Sequence, residues 1–129
     1  MTDSGYQYFT LSELSCHGDD CCDGQASMDP SFMKSIVALR KDVGFPFPVT
    51  SAYRCNLHNE RVSKTGAYGI HTTGKAIDIA VSYDKAAMLL EAAVLSGNFS
   101  GIGLKQSGPP ETRFIHLDSR DGPLTIWTY

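Results

Sequence analysis

Two short segments of alternating polarity carry side chains that can bind a metal. In residues 70–81 (I-H-T-T-G-K-A-I-D-I-A-V), Asp78 alternates with isoleucines and a valine. In residues 113–118 (R-F-I-H-L-D), His116 alternates with isoleucine and leucine. Strand side chains point to opposite faces in turn, so each segment predicts a strand with an apolar back and a metal-capable front.

If these strands are neighbours, Asp78 and His116 point into one cleft, and His71 joins them across the turn-forming T-T-G of residues 72–74. Each residue could have an ordinary surface or core role. A carboxylate inside I-D-I-A-V is nevertheless costly to bury unless a cation or several donors meet it. Two histidines and one carboxylate with an open fourth position are typical of a catalytic zinc, where that position holds the nucleophilic water. The sequence thus indicates a candidate Zn²⁺ site of His71, Asp78 and His116.

Helices are predicted where apolar residues recur with helical period. Residues 29–43 begin with an Asp-Pro start signal and end at a glycine. Residues 82–95 form the second main helix, with an inner face of Leu89, Leu90, Ala93 and Val94. Residues 9–15 predict a short helix with a capping box.

Further strands are predicted at residues 48–53, 101–105 and 124–129, with a loop at residues 61–68 forming one rim of the cleft. The expected architecture is α+β, as one domain over residues 1–129. Two main helices pack on a mostly antiparallel sheet, and the metal lies in a groove on the other side.

Composition excludes several classes of function. The chain has 129 residues and a net charge of −3, which argues against a nucleic-acid surface. No apolar run is long enough to span a membrane. The first ten residues have neither a basic nor an apolar signal-peptide region, so we expect synthesis without a signal peptide. We expect a monomer.

Three motifs resemble the M15 family of zinc D-Ala-D-Ala carboxypeptidases and cell-wall endopeptidases. Residues 51–54 read S-A-Y-R, residues 71–78 read H-T-T-G-K-A-I-D, and residues 116–118 read H-L-D. Their order matches the family pattern S-x-Y-R, S-x-H-x-x-G-x-A-x-D and a later histidine in an H-x-D or E-x-x-H context. Gly69 stands where the family has serine, and Arg113 where an acid can precede the third ligand. The resemblance implies a hedgehog-like fold and zinc bound by His71, Asp78 and His116.

The resemblance also implies roles in amide hydrolysis. Arg54 would hold a substrate carbonyl or carboxylate and stabilise the oxyanion, and Asn59 would fix the loop. Two carboxylates compete as general base: Asp118, on the face of His116, and Glu111, in the preceding turn. We expect Asp118 to be the base, the alternative being that it orients His116.

Four cysteines form a second feature. Cys16, Cys21 and Cys22 lie in an early polar loop, and Cys55 follows Arg54. Family members often place cysteines in these two positions, which implies that the four meet in space. Two disulfides, a structural zinc (with His17 as a possible ligand) and unpaired thiols all remain open.

The expected function is hydrolysis of a peptidoglycan stem peptide, by a D-Ala-D-Ala carboxypeptidase or an L-Ala-D-Glu-type endopeptidase. Such a protein would act on the cell wall after release by lysis, as a phage lysin does. One rival is a non-catalytic zinc-containing module, such as a hedgehog-like ligand or a phage structural protein. Another is a small disulfide-stabilised domain without metal.

Overall fold

The computed structural model of the chain describes residues 2–129. Four α-helices and five β-strands occur in that range. The helices are α1 (Leu11–Leu14), α2 (Pro30–Val43), α3 (Asn56–Val62) and α4 (Tyr83–Ser96). The strands are β1 (Val49–Ser51), β2 (Ala76–Ala80), β3 (Gly101–Lys105), β4 (Phe114–Asp118) and β5 (Thr125–Thr128). No helix in residues 2–129 is long and apolar enough to cross a membrane.

The five strands form one sheet in the order β1-β2-β4-β3-β5. Every neighbouring pair is antiparallel except β3 and β5, which run parallel. The predicted α+β fold with a mostly antiparallel sheet is therefore confirmed. In the β2–β4 ladder Asp78 lies directly opposite His116, so period-two alternation places both side chains on the same face.

Helices α2 and α4 cover the opposite face of the sheet. One buried cluster joins them to the strands and includes Met33, Ile36, Leu89, Ile77, Ile79, Ile102, Ile115 and Leu117. The four strand isoleucines and Leu117 are fully buried. Truncation of such a residue to alanine costs about 2–5 kcal/mol, so this core fixes the backbone on which the polar face is built.

The helix ends follow from local chemistry that the sequence predicted. Asp29 caps α2 by accepting from the backbone N–H of Phe32 at 2.9 Å, and Thr10 and Glu13 form the capping box of α1. Gly44 and Gly97 end α2 and α4 in the left-handed conformation that glycine adopts without strain.

Two local predictions were wrong. Residues 56–62 form helix α3, the end of which overlaps the segment predicted as a loop from residue 61. Val94, expected on the inner face of α4, is 41% exposed, whereas Leu89 and Ala93 are fully buried. The apolar surface of α4 continues past the face that the sheet covers, and periodicity alone does not show where the cover ends.

Candidate metal centre and cleft

The His71, Asp78 and His116 side chains meet on the polar face of the sheet. Nδ1 of His116 lies 2.9 Å from Oδ1 of Asp78, and Nε2 of His71 lies 3.5 Å from Oδ2 of the same carboxylate. All three residues are buried. One ligand atom from each lies within 4.8 Å of the other two, so the group could hold a metal ion.

Each imidazole is oriented by a bond on its other nitrogen. Nδ1 of His71 lies 2.6 Å from the Ala52 carbonyl, which leaves Nε2 to face Asp78. Nε2 of His116 lies 2.6 Å from Oδ2 of Asp118, which leaves Nδ1 to face Asp78. Such contacts set the tautomer and direction of metal-binding histidines.

The spacing fits a small divalent cation. In a tetrahedral zinc site with bonds of about 2.0–2.1 Å, ligand atoms lie roughly 3.3–3.4 Å apart. The distances from the two imidazole nitrogens to the Asp78 carboxylate, 2.9 Å from His116 to Oδ1 and 3.5 Å from His71 to Oδ2, are close to that separation. Two imidazole nitrogens and one carboxylate oxygen also match the ligand set of catalytic zinc sites.

The charges of the group are strongly coupled. Burial raises the pKa of Asp78, but hydrogen bonds from His116 and His71 outweigh it and hold the pKa below its usual range. Burial lowers the pKa of His116, while its bonds to Asp118 and Asp78 outweigh that effect and raise the pKa. In the metal-free state, a proton on His116 therefore compensates part of the negative charge of the buried carboxylates, as a bound cation would.

Asp118 lies on the other edge of the His116 ring from Asp78. Its side chain is fully buried, and Arg120 donates to it from Nε and from Nη2, the latter at 2.6 Å. A Cβ on the neighbouring Gly101 would come within 2.2 Å of this carboxylate, so the glycine makes room for it. Asp118 is absent from the cleft lining. This placement favours orientation of His116 over the expected role as general base.

Arg54 is held beside the metal group by three side chains. Nε donates to Oγ of Ser51 at 3.0 Å, and Nη1 donates to Oδ1 of Asn59 at 3.1 Å. Nη2 lies 3.8 Å from Oδ2 of Asp78. The serine and arginine of the S-x-Y-R motif thus contact each other, and the guanidinium faces the cleft.

Asn59 is fully buried and ties Arg54 to the loop that follows α3. Its Nδ2 donates to Oγ1 of Thr65 at 2.9 Å and to the carbonyl of Gly66. The prediction that Asn59 fixes the loop is confirmed. A Cβ on Gly69 would lie 2.0 Å from Oγ1 of Thr65, so the position where the family pattern has serine is tightly packed here.

Glu111 lies away from these groups. It is exposed in a 3₁₀ turn, Pro110–Thr112, before β4, and is absent from the residues that line the cleft.

The cleft above the metal group has a volume of about 480 Å³. Residues 62–65 form one wall, as predicted for the rim, and Phe114, Trp127 and Tyr129 form an aromatic wall. Arg54, Lys64 and Arg120 supply positive charge, and Asp78 is the one side-chain carboxylate among the lining residues within 2–129.

Sequence reasoning missed part of this wall. Arg120 was not singled out, although it binds Asp118 and stacks 4.7 Å above the Trp127 ring. Trp127 lies in the strand predicted at residues 124–129, and its ring lies 5.4 Å from that of His116. The D-S-R spacing at residues 118–120 was the one available signal, since a buried acid needs a nearby donor.

An α+β fold with a His-Asp-His group at the floor of a cleft has the features of a metal-dependent hydrolase. The chain belongs to the Peptidase M15 family, because the family model described as Peptidase M15 matches residues 7–118. This confirms the resemblance drawn from the three motifs and makes the chain a member of a peptidase family. A comparison with curated proteins finds no match.

Proposed function

We propose that the protein is a zinc-dependent peptidase that hydrolyses an amide bond in peptidoglycan stem peptides. The observation that carries the proposal is the convergence of Nε2 of His71, the Asp78 carboxylate and Nδ1 of His116 beside a fixed arginine in a peptidase-family fold. The ligand set, burial and spacing of these atoms fit Zn²⁺. When bound there, Zn²⁺ supplies Lewis acidity, which activates water and polarises a carbonyl.

Arg54 is proposed to bind the carbonyl or carboxylate of the substrate. Its guanidinium is permanently charged and can donate two parallel hydrogen bonds. Ser51 and Asn59 hold Nε and Nη1, so the orientation exists before substrate arrives. A preorganised donor of this kind stabilises the charge that develops on the carbonyl oxygen.

Asp118 is proposed to orient the third ligand. Its carboxylate accepts from Nε2 of His116, and Arg120 balances its charge. Histidine ligands commonly donate their second nitrogen to a carboxylate in this way, which fixes the ring and raises its basicity.

The walls of the cleft support an anionic peptide as substrate. Peptidoglycan stem peptides carry free carboxylates, and three cationic side chains line this cleft. The rings of Phe114 and Tyr129, 5.2 Å apart, offer an apolar surface for alanine methyl groups or peptide planes. Carboxypeptidase and endopeptidase action both fit this description, and we propose the cell wall as the place of action.

A non-catalytic binding module of the same fold is the second candidate. One observation favours it: among the lining residues within 2–129, no side chain other than Asp78 offers a carboxylate that could accept a proton. Such a module would bind zinc and the wall peptide and release no product.

The test is digestion of purified peptidoglycan by the zinc-loaded protein, with the fragments identified by mass. We expect free D-alanine or shortened stem peptides from the wild type and none from His116→Ala. The control is His17→Ala, which removes an exposed histidine whose ring lies against the Ser12 carbonyl. If the protein binds the peptides and releases no new fragment, the peptidase proposal is wrong and the non-catalytic binding module is supported.

A further inference from the structure

The four cysteines form a second cluster, separate from the cleft. Cys16, Cys21 and Cys22 come from the loop after α1, and Cys55 is the N-cap of α3. Sγ of Cys21 lies 3.9 Å from Sγ of Cys16 and 3.9 Å from Sγ of Cys22. All four sulfurs lie within 4.8 Å of one another, and all four thiols are free.

These distances fit metal coordination. A disulfide brings two sulfurs to about 2.05 Å. In a tetrahedral zinc–thiolate site with bonds of about 2.3 Å, the sulfurs lie roughly 3.8 Å apart. The two 3.9 Å separations match that edge, and one sulfur, that of Cys21, has both neighbours at this distance.

The surroundings are also those of a thiolate site. The backbone N–H of Cys55 donates to Sγ of Cys16 at 3.5 Å, and that of His58 donates to Sγ of Cys55 at 3.4 Å. Such N–H groups stabilise negative charge on metal-bound sulfur. A Cβ on Gly18 would lie 2.8 Å from Sγ of Cys21, so the loop needs glycine to close around the cluster.

The loop is anchored to α3 by a second contact. Nη1 of Arg61 donates to the Asp19 carbonyl at 2.9 Å. His17 stands outside the cluster, because its exposed ring contacts the Ser12 carbonyl instead.

We propose that Cys16, Cys21, Cys22 and Cys55 bind a structural Zn²⁺ ion as four thiolates. Each thiol releases one proton on binding, and no oxidant is required. The ion would tie the N-terminal loop to the start of α3, next to the backbone of Arg54. The site is independent of the hydrolytic function, and its readouts are metal content and thiol chemistry.

The test uses the His71→Ala/His116→Ala protein, in which the cleft ligands are removed and all four cysteines remain. Purified under reducing conditions with Zn²⁺, it should retain about one zinc per chain. A thiol reagent should react slowly with the native protein. After denaturation in the presence of a chelator, it should react with all four thiols. Replacement of zinc by Co²⁺ should give the intense ultraviolet band of cobalt–thiolate charge transfer. His17→Ala in the same background should keep the metal, and Cys22→Ser should lose it.

Three results would overturn the proposal without reliance on the cysteine variant. One is a metal-free protein whose four thiols react freely in the native state. A second, in protein purified without reductant, is the absence of thiols after denaturation, with a mass lower by four hydrogens, which would show two disulfides. Loss of zinc in the His17→Ala protein would likewise refute a ligand set of four cysteines.

Discussion

Replacement of Asp118 by asparagine separates the two roles that this carboxylate could have. In the structure, Oδ2 of Asp118 is 2.6 Å from Nε2 of His116 and 2.6 Å from Nη2 of Arg120. Asparagine keeps the size and one acceptor oxygen and removes the charge. It can therefore no longer accept charge-assisted hydrogen bonds from both His116 and Arg120.

The expected loss can be estimated from these contacts. A hydrogen bond to a charged group contributes about 1.5–3 kcal/mol, and a charge-assisted bond is roughly twice as strong as a neutral one. Removal of the charge should therefore weaken the support of His116 by about 1–1.5 kcal/mol, close to a tenfold loss in zinc affinity. Loss of such an outer carboxylate from a metal site costs about 10–100-fold. Turnover at saturating zinc should fall much less.

The assay is competition for Zn²⁺ with a chromogenic chelator, followed by turnover measured at saturating zinc. The cysteine cluster is the same in both proteins, so its contribution cancels in the comparison. A general base would show the opposite pattern, with unchanged affinity and turnover lower by about 10²–10⁴-fold. That pattern would refute the orienting role and would identify Asp118 as the general base.

Three further predictions follow from the same geometry. Arg54→Ala should keep zinc and lower turnover by about 10²–10³-fold, and Arg54→Lys should have an intermediate turnover. Unchanged hydrolysis in the Arg54→Ala protein would show that Arg54 has no catalytic role. Glu111→Gln should alter turnover by no more than about twofold, since the side chain is exposed outside the cleft; an inactive variant would make it the base. The metal-free protein should be most stable between roughly pH 4 and 6.5 in a thermal-unfolding series. The lowered pKa values of Asp78 and Asp118 give stability that is lost as pH falls, and the raised pKa of His116 gives stability that is lost as pH rises. A midpoint that climbs steadily above pH 6.5 would contradict this balance.

The metal group was predictable because its geometry is local. Alternation along two five-residue strands fixes which face Asp78 and His116 occupy, and a short turn brings His71 to the same end. The helix caps were predictable for the same reason, since each needs residues only a few positions apart.

The other features of the site depended on long-range contacts that the sequence does not specify. Helix α3 has no apolar stripe, and its single buried residue, Asn59, is polar. Alternation gave the face of Asp118 but could not show that it contacts the far edge of His116. Trp127 reaches the cleft because β5 pairs parallel with β3, a long-range contact. A single domain over residues 1–129, a monomer, and release by lysis as a phage lysin stay predictions.

The most direct measurement of the central claim is anomalous scattering at the zinc absorption edge from crystals grown with Zn²⁺. The account predicts a peak about 2.0–2.1 Å from Nε2 of His71 and from Nδ1 of His116, with Asp78 as the third ligand. Asp118 should remain on Nε2 of His116. The absence of a peak in the cleft, or a zinc bound to Nε2 of His116, would contradict the account.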